Sequence, residues 1–138
     1  MVEMLVSGTV VLAMDQAAKR AVQRHAAERV IRCGPLFSIR HVMSRRSFYS
    51  GSAAPVALVA IWILALASVL ILALSGSAFP GRYALGAIGA ALGGAASNLF
   101  DILRHRSVRD FIDLGWWPVF NFADIAIIGG LAIAFLTR

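Results

Sequence analysis

Charge is what this sequence has least of. Of its 138 residues 14% are charged and only seven are Asp or Glu, against 59% hydrophobic residues and a mean hydropathy of +0.78. A small soluble domain carries about 25% charged residues, so the scarcity excludes that class and leaves a compact membrane protein. Cysteine is nearly absent too. The single Cys33 excludes an internal disulfide and a multi-cysteine metal site; it reads as a buried or lipid-facing thiol, with a nucleophile as the alternative. His25, His41 and His105 lack metal-ligand spacing, there is no HExxH, and no serine sits in a recognisable nucleophile setting, so neither metal nor cofactor is implied. No Lys or Arg precedes Lys19, whereas a cleaved secretory signal wants a basic start; Met4 to Met14 therefore reads as part of a retained helix. With no linker, repeat or low-complexity tract, residues 1–138 read as one integral membrane domain.

The apolar runs predict an all-α membrane protein with four transmembrane helices at about 3–22, 55–75, 82–103 and 119–137. The first reaches about 20 residues only if Asp15 lies within or at the edge of the bilayer, where an acid is costly unless paired or facing a wet interior. Asp15 and Lys19 share a helix face at i,i+4 spacing, as a simple ion pair or as groups that place a bound substrate. From Arg20 to Arg46 the chain is rich in arginine, breaks at Gly34-Pro35, and alternates over Leu36 to Val42 as a short strand does. This predicts a small extramembrane β element between the first two helices, with arginines on anionic lipid phosphates or on a solvated face. Residues 47–81 carry no charge and hold the second span, Pro55 to Leu74, followed by a turn. In the third span Gly86, Ala90 and Gly94 form a small-residue stripe suited to helix packing; Asn98 continues it and Asp101 follows three residues on.

Residues 98–128 concentrate what acid there is: Asp101, Asp110, Asp113 and Asp124. Arg104 to Arg109 reads as a basic, polar loop, and Trp116, Trp117 and Pro118 as an interfacial anchor at the mouth of the last span. Asn121 and Asp124, three residues apart, face one way. A reentrant or hairpin path would bring Asp110 and Asp124 together at one membrane interface. Two adjacent carboxylates do not both ionise easily, so one holds a proton while the other acts as base. Such a pair activates water against a peptide carbonyl and protonates the leaving amine, which is aspartic peptidase chemistry.

Three segments, GGAASNLFD (93–101), VRDFIDL (108–114) and FNFADIAI (120–127), resemble the motifs of lipoprotein signal peptidase (signal peptidase II), and Asp15-Gln16-Ala17-Ala18-Lys19 resembles that family's first box. The resemblance covers nearly the whole chain. It implies a four-helix peptidase of the bacterial inner membrane, multi-pass, with its site near the extracytoplasmic face and an extracytoplasmic β-cradle, cutting signal peptides before a diacylglyceryl-modified cysteine. It implies Asp110 and Asp124 as the catalytic dyad, and Asp15, Lys19, Asn98, Asp101, Asp113 and Asn121 as supporting or substrate-contacting positions. Departures are visible. The stretch around HVMSRRSF (41–48) lacks the Asn and Gly of the family's second box, Ser97 stands where a Gly usually precedes the Asn, and Ile102 follows Asp101 where the family has Arg.

The implied orientation puts residues 19–46 and 104–109 outside and leaves Arg82 and Arg138 inside, against the positive-inside rule. The implied partners are a lipid-modified prolipoprotein, membrane lipids including anionic ones, and a membrane protein held through the basic segment 20–46. Two other functions compete: a catalytically altered accessory subunit, favoured by the altered second box, and an ion pathway through Asp15, Asp101 and Asp124, disfavoured by an apolar second span. Nucleic-acid binding is a poor reading of the +6 charge, since the basic residues sit in short loops without a binding motif.

Overall fold

The computed structural model describes residues 1–25, 30–32, 38–44, 67, 69–71, 75 and 81–137. Three helices carry most of them: α1 (Val2–His25), α2 (Arg82–His105) and α3 (Phe122–Leu136). Between them lie three strands, β1 (Ile31–Arg32), β2 (Ser38–Ser44) and β3 (Val108–Asp113), forming one antiparallel sheet in that order. Of the expected second span, Ala67 and Val69 to Ile71 are described and helical, and Ser75 at its end lies in a turn. Cys33, the Gly34-Pro35 break and most of the chain from 45 to 80 lie outside the described residues.

Helix α2 is central, with α1 and α3 packed on opposite sides of it and touching each other little. Small residues make this possible, as the stripe predicted, but on two faces. Towards α1 the approach is made at Gly89 and Gly93, where an added Cβ would strike the backbone of Met4 and Gly8. Towards α3 it is made at Ala87, Ala91 and Gly94; a Cβ on Gly94 would lie 2.6 Å from the Ala123 carbonyl oxygen. Gly86, expected to lead the stripe, has space for a Cβ, which would come no nearer than 3.9 Å to Glu3. Backbones this close gain dispersion contacts that side chains would otherwise hold apart.

The interior is polar and the exterior apolar. The largest fully buried side chains are Lys19, Ile88, Asn121, Asp15, Asp101 and Ser97, while Val2, Leu5, Val6, Met14, Leu103, Ile128 and Leu136 are exposed. Water would favour the opposite arrangement; a lipid surround favours this one. Among the described residues α2 is the one helix long and apolar enough to cross a bilayer by length and composition, and α3 is a shorter apolar helix of 15 residues. A small apolar cluster, Met4, Ala84, Ala87, Ile88 and Ala134, closes the end away from the buried charges, with Val69 packed against it.

The sheet corrects two expectations. The fold is mostly helical rather than all-α, and the β element is not confined to the first connection: its third strand comes from between α2 and α3. VRDFID runs apolar, polar, polar, apolar, apolar, polar, with Arg109, Asp110 and Phe111 all buried, so no period-2 alternation marks this strand in the sequence. Ile39 pairs with Ile112 and Val42 with Asp110, so β2 holds one extra residue opposite Phe111, a bulge beside Asp110. After β3 the chain turns through Gly115, at φ +77°, whose N–H donates to Asp113 Oδ1 at 2.8 Å. It returns along Ile112, which exchanges hydrogen bonds with Phe120. This is the expected hairpin path. The last helix then starts at Phe122, later than the expected 119, because Phe120 is held by the bridge and Asn121 is the N-cap.

Candidate active site

Asn121 begins the site. Its side chain accepts from the Asp124 N–H at 3.0 Å, and Asp124 Oδ2 accepts from the Asn121 N–H at 3.2 Å, a reciprocal capping box. The cap uses the Asn121 oxygen, which leaves its Nδ2 to donate to Asp110 Oδ1 at 2.7 Å and to Asn98 Oδ1 at 3.2 Å. Asn98 in turn donates from Nδ2 to Asp124 Oδ1 at 2.9 Å. Asp110 from β3 and Asp124 from the first turn of α3 are thus tied to one amide, with Asn98 of α2 beneath them. Asp110 is buried and Asp124 half-buried.

Beneath the amides lies a charge-balanced group. Lys19 Nζ binds Asp15 Oδ2 at 2.6 Å and Asp101 Oδ2 at 3.0 Å, and donates to Asn98 Oδ1 at 2.9 Å. A cation on the Asn98 oxygen sets that amide's orientation and aims its nitrogen at Asp124. Asp15 also accepts from Ser97 Oγ at 2.6 Å and, through Oδ1, from the Ala123 N–H at 3.0 Å. It therefore satisfies one of the free N–H groups at the start of α3, where a negative charge is favoured. Asp101 is bound by the Arg109 guanidinium and backbone N–H and by Gln16 Nε2 at 3.0 Å. Two acids and two bases, all essentially sealed from solvent, cancel where an unpaired charge would be costly.

The structure brings together Asp15, Lys19, Asn98, Asp101, Asp110, Asn121 and Asp124. Asp113 stands apart, half-exposed, holding the Gly115 turn. Asp15 and Lys19 form an ion pair, extended by Asp101. Gln16, Ser97 and Arg109 were missed. Gln16 and Ser97 adjoin Asp15 and Asn98 in sequence, which was the available signal. Arg109 reads as part of a solvated loop, yet it is 4% exposed. Position 102 carries Ile102, and Asp101 nonetheless has a guanidinium partner. Among the described residues no cluster of His, Cys, Asp or Glu is arranged to hold a metal.

The chain is similar to known proteins in both sequence and fold. The chain is 35% identical over 132 residues to a lipoprotein signal peptidase of Moorella thermoacetica, covering 94% of this chain and 87% of the relative. A shorter match to a lipoprotein signal peptidase of Syntrophomonas wolfei is 58% identical over 45 residues, 32% of this chain and 30% of that relative. A solved bacterial membrane enzyme superposes with a TM-score of 0.84 at 20% identity, covering 96% of this chain and 90% of the other, which establishes a shared fold. The family model for signal peptidase (SPase) II matches residues 8–138. Matched over nearly its whole length, the chain belongs to the signal peptidase II family of membrane peptidases.

Proposed function

We propose that this protein is a membrane aspartic endopeptidase that cleaves the signal peptides of diacylglyceryl-modified prolipoproteins, with Asp110 and Asp124 as its dyad and water as nucleophile. The observation that carries the reading is the shared amide: Asn121 binds Asp110 through its side chain and Asp124 through its backbone and cap. Acids from two separate elements are thereby held at one place. One carboxylate takes a proton from water as the water oxygen bonds to the scissile carbonyl carbon. The other, carrying a proton, hydrogen-bonds to the carbonyl oxygen. When the C–N bond breaks, a proton passes to the leaving amine. Asn98 and Asn121 keep the carboxylates aimed, and the buried ions keep the amides aimed.

The same reading puts the protein in the bacterial inner membrane as a multi-pass chain, its dyad near the extracytoplasmic face. Support comes from the bundle itself: the dyad lies at the end that carries the sheet and the exposed Trp116 and Trp117, where aromatic side chains favour the headgroup boundary. Substrate then reaches the dyad from the lipid with its modified cysteine at bilayer depth. The basic segment 20–46 contributes an attraction for anionic lipid or for a membrane partner.

The test is cleavage of a diacylglyceryl-modified prolipoprotein by purified protein in detergent or lipid, read by gel shift. Wild type is expected to cleave, and Asp110→Asn and Asp124→Asn to lose at least about 100-fold in rate with unchanged thermal unfolding. Cleavage retained in either variant would remove the dyad. Failure of the wild type, beside an active relative, would turn the reading to a non-catalytic accessory subunit.

A further inference from the structure

Arg109 and Asp110 are neighbours on β3, so their side chains leave opposite faces of the strand. Asp110 reaches Asn121 and the dyad. Arg109 goes the other way, into the helices. Its Nη2 binds Asp101 and donates to Gln16 Oε1 at 2.9 Å, and its Nη1 donates to Gln23 Oε1 at 3.4 Å. Its backbone N–H donates to Asp101 Oδ2 at 3.2 Å. One carboxylate thus takes hold of both the main chain and the side chain of the residue before Asp110, and a second helix holds the guanidinium from its far side.

Stability alone is a poor reason for this arrangement. Burying an ion pair costs desolvation that its attraction does little more than offset, and here Arg109 Nε has no hydrogen-bond partner among the described residues. What the pair does supply is a fixed position. Along β3 the ladder to β2 is interrupted beside Asp110, where Phe111 has no Cα partner on β2, so β2 contributes less to holding the strand just there.

We propose that Arg109 is a positioning residue for the peptidase reaction, clamping β3 to α1 and α2 through Asp101 and Gln16 so that Asp110 is presented to Asp124 at working distance. The inference rests on the assignment of Asp110 to the dyad. A clamp predicts a loss in turnover with little change in substrate affinity, because a misplaced carboxylate lowers the rate without removing a substrate contact.

Kinetics of prolipoprotein cleavage, normalised to folded protein, would be measured for wild type, Arg109→Met, Arg109→Lys and Gln16→Met. For Arg109→Met we expect kcat to fall about 10- to 100-fold with KM within about threefold of wild type. Arg109→Lys, which keeps a cation on Asp101 without the planar fork, and Gln16→Met, which leaves Asp101 in place, should fall between. Should Arg109→Met not fold, those two variants decide the matter by the same split. Amide hydrogen exchange of Phe111 and Ile112, both of which donate to the Phe120 carbonyl, is the companion readout and needs no substrate. It should quicken at least about tenfold in Arg109→Met while the interior of α3 keeps its protection. Unchanged kcat, or unchanged exchange at those two amides, overturns the clamp. A wild type that cleaves nothing defeats the peptidase reading instead, and the exchange result still decides whether Arg109 holds β3.

Discussion

The two ends of α2 pack by opposite means. At its N-terminal end and middle, neighbours are admitted by what is missing: Gly89, Gly93 and Gly94 have no side chain, and the backbones of α1 and α3 occupy the room. At its C-terminal end, Ser97, Asn98 and Asp101 reach out, and the same two helices are held through polar side chains. Glycine contact sets how close the helices lie but specifies no chemistry. Ionic contact specifies which atoms face which, and is only safe when complete. The closely packed end therefore sets the spacing of the helices, and the polar end sets which side chains face one another.

The largest break in this contrast should come at the polar end. Lys19→Met leaves Asp15 and Asp101 without their shared cation and frees the Asn98 amide to turn. Removing one member of such a buried group costs about 3–5 kcal/mol, so thermal unfolding in detergent should show a marked drop, with cleavage lost alongside. At the small-residue end the cost is steric and smaller. A Cβ on Gly130 of α3 would sit 2.5 Å from the Ala87 carbonyl oxygen and 3.0 Å from the Ala91 nitrogen. Gly130→Ala should therefore cost about 1–3 kcal/mol as α2 and α3 are pushed apart. Its neighbour sharpens the comparison, since a Cβ on Gly129 meets nothing within 4 Å. Gly129→Ala should be neutral or gain up to about 1 kcal/mol from helix propensity; an equal loss at both positions would mean that close packing is not what Gly130 provides.

The same contrast explains what could be read in advance. Asp15 with Lys19, and Asn98 with Asp101, were legible because polar residues are rare in an apolar chain and helical spacing fixes which of them share a face. Asp110 and Asp124 were legible through their settings, and the hairpin joining them through Trp116 to Pro118. Arg109 was not. A guanidinium looks the same in sequence whether it faces water or a buried carboxylate, and Asp101, eight residues earlier on another element, gives no local hint of the pairing. The strand carrying Arg109 was hidden for the same reason, since its partner β2 lies more than sixty residues away in sequence.

The position of Asn121 has a consequence for biosynthesis. The residue that caps the last helix is also the one that binds Asp110, so Asp110 and Asp124 are tied together only when that helix has begun at the right place. Everything before it, Asp110 included, leaves the ribosome earlier. On the proposed assignment of Asp110 and Asp124 as the dyad, a nascent chain in the membrane therefore lacks a complete site until its last helix has formed.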